Sequence, residues 1–182
     1  MRDLWQLWSG GASQAQIDWI TNIANTKPVQ EAGIFSSSEV DDKVRTSSIR
    51  WLTDEHKIRD WLFEYVKMAN RNAFNLDVDN FADIQYTEYL ATEGGHYDWH
   101  HDVDWNNDIG YDRKLSITLQ LSSPDEYEGG DFEFSEVVSP GAESKEKGSV
   151  LVFPSYLQHR VKPVTKGKRI SLVAWFEGPR WR

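Results

Sequence analysis

The sequence predicts a mainly β protein of the α+β class, with two or more N-terminal helices packed on one sheet of an antiparallel sandwich or barrel. Residues 1–80 contain two segments with apolar side chains at helical spacing. From Phe81 onward the pattern changes to short extended runs separated by turn residues. A length of 182 residues fits a single domain over 1–182, with a helical support region at 1–80 and a β core at 81–178.

The two predicted helices each carry an apolar stripe. Ser13 can cap the first helix, over about 14–26, and Thr53 or Asp54 begins the second, which runs to about Asn72. The apolar residues of the first are Ile17, Ile20 and Ile23. Those of the second are Ile58, Trp61, Leu62, Tyr65, Val66 and Met68. We expect both stripes to lie on a sheet, because an amphipathic helix buries its apolar face.

Seven extended runs follow Phe81. They are 82–91, 96–103, 114–122, 130–135, 149–154, 158–164 and 168–177. The run 114–122 alternates polar residues, such as Ser116 and Gln120, with apolar ones. Its polar face is either exposed to solvent, as in most antiparallel sheets, or faces the opposite sheet across a hydrophilic cavity if the helices cover its apolar face.

The composition excludes several kinds of site and partner. Since the chain has no cysteine, disulfides, thiolate metal sites and a cysteine nucleophile are excluded, and any metal must be bound by imidazole and carboxylate groups. The net charge of -9 opposes binding to nucleic acid or to an anionic membrane. Because no secretory signal or long apolar run is visible, we expect a cytoplasmic protein. The oligomeric state is left open.

A candidate metal site is indicated by the histidines. His100 and Asp102 lie two residues apart in a predicted strand, so their side chains project to the same side. His159 is the only histidine that follows His101 in the chain. Two histidines and one carboxylate leave three positions of an octahedral ion open, as in non-haem Fe(II) oxygenases. His96 and Asp98 have the same spacing, and spacing alone does not choose between the two pairs.

Three segments resemble those of prolyl 4-hydroxylases and their bacterial and phage relatives, which are Fe(II)- and 2-oxoglutarate-dependent oxygenases. Residues 94–102 are similar to the family's Gly-Gly-x-Tyr-x-x-His-x-Asp segment. Residues 127–132 look like its Gly-Gly turn into a strand, and 148–155 followed by His159 look like its C-terminal block. Order and spacing agree over about 84–176. The resemblance selects the second of the two His-x-Asp pairs.

The family resemblance implies a double-stranded β-helix (jelly-roll) core and a set of cofactors. His100, Asp102 and His159 would bind Fe(II). The co-substrates would be 2-oxoglutarate and O2, with ascorbate as a reductant. The protein would supply geometry, while the cofactor supplies the oxidative chemistry.

The resemblance also implies a co-substrate pocket. Arg169 stands near ten positions past the distal histidine, where the family has a basic residue that binds the far carboxylate of 2-oxoglutarate. A guanidinium can hold a carboxylate through two hydrogen bonds. Lys168 is the alternative, although strand alternation points it to the opposite face. Tyr89 is expected to donate to the same carboxylate, with Tyr86 as its alternative.

Two further residues, Gln120 and Trp175, are expected at the pocket. Gln120 stands where many relatives have a tyrosine, and Trp175 resembles a pocket-lining aromatic of some of them. Related nucleic-acid demethylases have a second arginine at the position of Trp175, which argues against a nucleic-acid substrate. The resemblance implies hydroxylation of a prolyl residue in a peptide or protein. A small-molecule hydroxylase, a non-catalytic jelly-roll binding module and a zinc hydrolase are the alternatives.

Overall fold

The structure is a computed structural model that describes residues 3–32, 41 and 43–182. Its two α-helices are α1 (Gln14–Ala24) and α2 (His56–Ala69). Within the described part of the chain, neither is long and apolar enough to cross a membrane. The strands are β1 (Gln6–Trp8), β2 (Gln30–Glu31), β3 (Arg45–Thr46), β4 (Ser48–Trp51), β5 (Ala82–Leu90), β6 (His96–His100), β7 (Tyr111–Gln120), β8 (Tyr127–Gly129), β9 (Phe132–Phe134), β10 (Val150–Pro154), β11 (His159–Val161) and β12 (Val164–Pro179).

Both helices begin where the chain supplies a cap or leaves a strand. Ser13 caps α1 as predicted, in a capping box with Gln16. The second helix begins at His56, later than predicted, because two of the preceding residues are hydrogen-bonded to β5. The Leu52 N–H donates to the Ile84 carbonyl at 2.8 Å, and the Thr53 hydroxyl accepts from the Ile84 N–H. A π-helical turn, Asn70–Phe74, extends the C-terminal end of α2.

The strands form two antiparallel sheets. The major sheet has the order β1-β10-β7-β12-β5-β4-β2, with β8 paired to β12, and the minor sheet has the order β3-β6-β11-β9. This arrangement is the predicted mainly β fold with helices on one sheet. The helices pack on the apolar face of the major sheet in one buried cluster, which includes Ile20, Leu62, Ile117, Leu119 and Leu172.

The apolar face of β7 lies under the helices and its polar face lies toward the minor sheet, which is one of the two arrangements that its alternating sequence allows. Leu115, Ile117 and Leu119 are buried in the helix-covered cluster. On the other face the Ser116 hydroxyl donates to Asp102, which lies two residues beyond the end of the minor-sheet strand β6. The polar face of β7 therefore looks into the space between the sheets and not into solvent.

The structure also corrects the predicted elements in the N-terminal region and near the C-terminus. The helical support region at 1–80 also contains the four short strands β1 to β4, which are two to four residues long and too short to show a periodicity. The sequence predicted one strand at 158–164 and another at 168–177. In the structure the first strand, β11, ends at Val161, and the second, β12, already begins at Val164. Gly167, at a φ of +69°, lets β12 turn beside β8 without interrupting the strand.

Candidate metal centre and adjoining cavity

Strand pairing brings together His100, Asp102 and His159. Strands β6 and β11 pair so that His159 lies opposite His100, and Asp102 lies two residues beyond the end of β6. One potential ligand atom from each side chain lies within 4.8 Å of the other two. The distance from His100 Nε2 to Asp102 Oδ1 is 3.7 Å, and that from His159 Nε2 to Asp102 Oδ2 is 3.5 Å. The three predicted ligands therefore share one site.

Hydrogen bonds orient both imidazoles. His100 Nδ1 lies 2.7 Å from the Asp98 carbonyl, and His159 Nδ1 lies 2.8 Å from the Leu157 carbonyl. Because a carbonyl oxygen can only accept, each Nδ1 carries the proton and donates it, which leaves the lone pair on Nε2. Both Nε2 atoms face Asp102. This tautomer and orientation are those of a metal-binding histidine with a backbone outer partner.

The ionisation of the site also suits a metal ion. Burial, reinforced by the neighbouring His159, lowers the pKa of His100 to about 3, so its ring is neutral near pH 7. Burial by itself raises the pKa of the Asp102 carboxyl, but the two histidines and the Ser116 hydroxyl outweigh burial and bring that pKa below its usual range. A neutral imidazole beside an ionised carboxylate can coordinate a divalent cation without losing a proton.

The alternative pair, His96 and Asp98, does not join this cluster. Both ring nitrogens of His96 face backbone carbonyls, those of Gly94 at 2.9 Å and Lys43 at 3.2 Å. The Asp98 side chain is exposed, and its Oδ1 accepts from the backbone N–H of Trp99. The geometry therefore agrees with the pair selected by the family resemblance.

A cavity between the two sheets adjoins the three clustered side chains, and together with its opening to solvent it has about 430 Å³ of space not filled by protein atoms. Arg169 and Tyr89 line it from β12 and β5, where the two residues are directly paired across the strands. The Arg169 guanidinium carbon lies 5.6 Å from the centre of the Tyr89 ring. Arg169 is only 5% exposed. A buried guanidinium thus faces the same cavity as His100.

The alternatives to these two cavity residues lie elsewhere. Lys168 points to the other face of β12, where it pairs with Glu88 at 2.9 Å. Tyr86 is buried in the cluster under the helices. Gln120 also lies outside the lining of the main cavity, and it shares a smaller void with Arg169. The Gln120 amide donates to the Tyr127 hydroxyl at 3.1 Å, and its Oε1 is buried without a hydrogen-bond partner.

Trp175 lines the cavity as predicted. Its indole Nε1 is buried and has no hydrogen-bond partner in the described structure, which leaves a donor available. The guanidinium carbon of Arg113 lies 4.2 Å from the centre of the Trp175 ring, and the Trp51 ring centre lies 6.3 Å from that of Trp175. Trp51 is the most exposed of these residues, at 37%.

Other cavity residues were not predicted from the sequence. Arg45 and Gln85 line the cavity from β3 and β5, and the Arg45 guanidinium donates to Gln85 Oε1 at 2.6 Å. Phe132 and Phe153 also line it, and both rings contact His159. The sequence could have predicted Gln85, because Gln85 and Tyr89 stand an even number of residues apart in one strand and therefore face the same side of the sheet.

The Gly-Gly turn of 127–132 has a steric explanation. Gly129 and Gly130 have φ angles of +76° and +62°, which other residues rarely adopt. A Cβ at Gly129 would lie 2.3 Å from the Pro163 carbonyl oxygen, and one at Gly130 would lie 2.9 Å from Cδ of Arg169. The second glycine therefore makes room for the buried arginine.

Comparisons with known sequences agree with this geometry. Residues 84–177 match the model of the 2OG-Fe(II) oxygenase superfamily. A PKHD-type hydroxylase of Idiomarina loihiensis is 33% identical over 85 residues, which are 47% of this chain and 38% of that protein. Another, of Parvibaculum lavamentivorans, is 38% identical over 96 residues, covering 53% of this chain and 42% of the relative. The chain therefore matches less than half the length of these relatives.

Solved structures show the same fold at low identity. A Pseudomonas putida prolyl-4-hydroxylase has a TM-score of 0.73 at 19% identity, covering 97% of this chain and 93% of that one. The viral collagen prolyl hydroxylase vCPH of Paramecium Bursaria Chlorella virus-1 has a TM-score of 0.70 at 20% identity, covering 97% of both chains. A Trichoplax adhaerens prolyl hydroxylase, in complex with a hypoxia inducible factor peptide fragment, has a TM-score of 0.73 at 14% identity, covering 95% of this chain and 83% of that one.

The superfamily model matches more than half of the chain, and the matched segment contains the clustered histidines and carboxylate together with the buried arginine. The neighbours support the predicted jelly-roll core. The donor set of two imidazoles and one carboxylate fits the Fe(II) that this superfamily uses. The chain belongs to the 2OG-Fe(II) oxygenase superfamily.

Proposed function

We propose that this protein is an Fe(II)- and 2-oxoglutarate-dependent dioxygenase that hydroxylates a C–H bond of a prolyl residue in a peptide or protein. One observation carries the proposal: His100, Asp102 and His159 line the same buried cavity as the guanidinium of Arg169. When bound, Fe(II) with 2-oxoglutarate and O2 supplies the oxidising chemistry, with succinate and CO2 as co-products.

In this proposal the three clustered side chains hold Fe(II) on one face and leave the other positions open to co-substrates. The Nδ1–H bonds to the Asp98 and Leu157 carbonyls keep both imidazoles aimed at the site. The aromatic rings of Phe132 and Phe153 beside His159 exclude water from that side.

Arg169 would bind the far carboxylate of 2-oxoglutarate. Within the described residues its one hydrogen bond is to the Ser171 hydroxyl at 3.4 Å, and no carboxylate lies within salt-bridge distance. A buried cation without an anionic partner is costly, so an incoming carboxylate would gain a strong charge-assisted contact. Tyr89, which packs beside Arg169, is positioned to donate its hydroxyl to the same group.

The substrate would approach past Trp175, which lines the cavity, and past Trp51, an exposed residue whose ring lies next to that of Trp175. The free Trp175 N–H would donate to a backbone carbonyl of the substrate, and the exposed indole of Trp51 suits the apolar ring of proline. A peptide substrate is also supported by the fold shared with prolyl hydroxylases, one of which was solved with a bound peptide.

The test is incubation of the protein with Fe(II), ascorbate and 2-oxoglutarate against a library of proline-containing peptides, with mass spectrometry as the readout. A mass gain of one oxygen on proline, absent with Asp102→Ala, is expected. Turnover of 2-oxoglutarate stimulated by small molecules but by no peptide would favour a small-molecule hydroxylase. Metal and 2-oxoglutarate binding with no turnover of any substrate would favour a non-catalytic binding module.

A further inference from the structure

We propose that Ser116, supported by Ser155, is a positioning residue that fixes the Asp102 carboxylate for metal binding. The inference rests on the metal site of the proposed function and adds two residues that are not ligands. Ser116 lies on β7 of the major sheet, and Ser155 follows β10 of the same sheet. Asp102 follows β6 of the minor sheet, so these contacts join the two sheets at the metal centre.

The two hydroxyls and the Asp102 carboxylate form a chain of hydrogen bonds in which each donor and acceptor is fixed. Ser116 Oγ donates to Asp102 Oδ2 at 2.6 Å, and Ser155 Oγ lies 2.9 Å from Ser116 Oγ. An ionised carboxylate can only accept, so the single proton of Ser116 is directed to Asp102. The contact between the serines must then use the proton of Ser155. Ser155 thereby keeps the Ser116 proton aimed at the carboxylate.

Ser155 also holds the backbone of Asp102. The Asp102 N–H donates to the Ser155 carbonyl at 3.0 Å, and the Ser155 N–H donates to the Lys114 carbonyl at 3.0 Å. Both serine side chains are fully buried. Asp102 has left the regular pairing of β6, and these bonds replace the ladder that would otherwise restrain it. Its backbone and its side chain are therefore both tied to the major sheet.

The consequence is a fixed carboxylate plane. A carboxylate can rotate about Cβ–Cγ, and each orientation offers a metal a different oxygen or both oxygens. The Ser116 hydroxyl donates to Oδ2, and this holds the carboxylate in the orientation in which Oδ1 lies 3.7 Å from His100 Nε2 and Oδ2 lies 3.5 Å from His159 Nε2. Outer partners of this kind typically account for about 10- to 100-fold in metal affinity. We infer that the Ser116 hydroxyl contributes to metal affinity by a factor of the same order.

The experiment is an anaerobic Mn(II) titration of the full chain, followed by the EPR signal of free Mn(II). Ser116→Ala should bind Mn(II) about 10- to 100-fold more weakly than the wild type. Ser155→Ala should lose less, because Ser116 can still reach Asp102. The matched control is Ser149→Ala, which removes an equally buried serine hydroxyl that donates to the Glu143 carbonyl at 2.7 Å and should leave the affinity unchanged.

The outcomes separate this inference from the proposed function. If the wild type fails to bind Mn(II), the proposed function itself is overturned. If the wild type binds and Ser116→Ala binds equally well, with only a lower Tm, the serine is structural and the positioning role is overturned. Should Ser116→Ala fail to fold, Ser116→Cys keeps a similar volume with a weak donor, and wild-type affinity in that variant would overturn the inference. The Co(II) absorption spectrum should also differ from wild type in the folded variant.

Discussion

Replacing Arg169 by alanine tests the proposed co-substrate contact. The side chain is 5% exposed and faces the cavity shared with the three clustered metal-site residues. Its one hydrogen bond within the described chain is a long one, 3.4 Å, to Ser171. Because the guanidinium makes so few contacts of its own within the protein, Arg169→Ala should reduce the affinity for 2-oxoglutarate more than it reduces the stability of the fold.

The expected loss follows from the burial of the arginine. Truncating one partner of a buried, hydrogen-bonded charge pair costs on the order of 2–5 kcal/mol, which is roughly 30- to several-thousand-fold in affinity. Arg169→Ala should weaken 2-oxoglutarate binding by that factor. Arg169→Lys should be intermediate, since lysine keeps the charge but loses the planar fork.

The assay is calorimetric titration of Mn(II) into wild type and variants, followed by titration of 2-oxoglutarate into each protein already saturated with Mn(II). Mn(II) affinity should hardly change, because Arg169 is not a proposed ligand. The matched control is Lys168→Ala, the neighbouring cation, which pairs with Glu88 on the outer face and should leave both affinities as they are. Unchanged 2-oxoglutarate affinity in Arg169→Ala would refute the assignment, and a large loss in Lys168→Ala would transfer it to that residue.

Three further predictions follow from single sites. His100→Ala should abolish Mn(II) binding by EPR while His96→Ala retains it; the reverse result would show that the wrong His-x-Asp pair has been assigned. Burial raises the pKa of Glu177 from 4.5 to about 7, so the folded state binds this proton more tightly than the unfolded state and stability falls as pH rises through that window. Glu177→Gln should therefore raise Tm above pH 7 and give no gain below about pH 4.5; an equal shift at both pH values would contradict the titration. Gly129→Ala should lower Tm by several degrees, because its Cβ would meet the Pro163 carbonyl oxygen at 2.3 Å, and a wild-type melting curve would refute that.

Much of the fold and the metal centre could be predicted from local patterns. The alternation in β7 allowed a polar face toward an inner cavity, and the structure has that arrangement. The two-residue spacing of His100 and Asp102 placed both on one side of a strand, but only the family resemblance chose them over His96 and Asp98. His159 joins them through the antiparallel pairing of β11 with β6, a long-range contact that sequence periodicity does not encode.

What the sequence did not predict depends on pairing between distant strands. Arg45 reaches the cavity from β3, a two-residue strand with no period of its own. Arg113 stacks on Trp175 because β7 begins three residues earlier than the predicted run, and its end pairs with that of β12. Gln120 was expected at the co-substrate, yet it lies beside Arg169 in a separate small void. The alternation correctly assigned its face but could not give its position along the cavity.

The central claim, that the His100, Asp102 and His159 cluster binds a metal that in turn supports 2-oxoglutarate binding, is tested most directly by thermal unfolding with Mn(II) and 2-oxoglutarate added singly and together. We expect 2-oxoglutarate to raise the Tm only when Mn(II) is present, by about 5–10 °C at a 100-fold excess over Kd. Asp102→Ala should abolish this joint effect. An equal rise with 2-oxoglutarate alone, or no rise with both ligands present, would contradict the account.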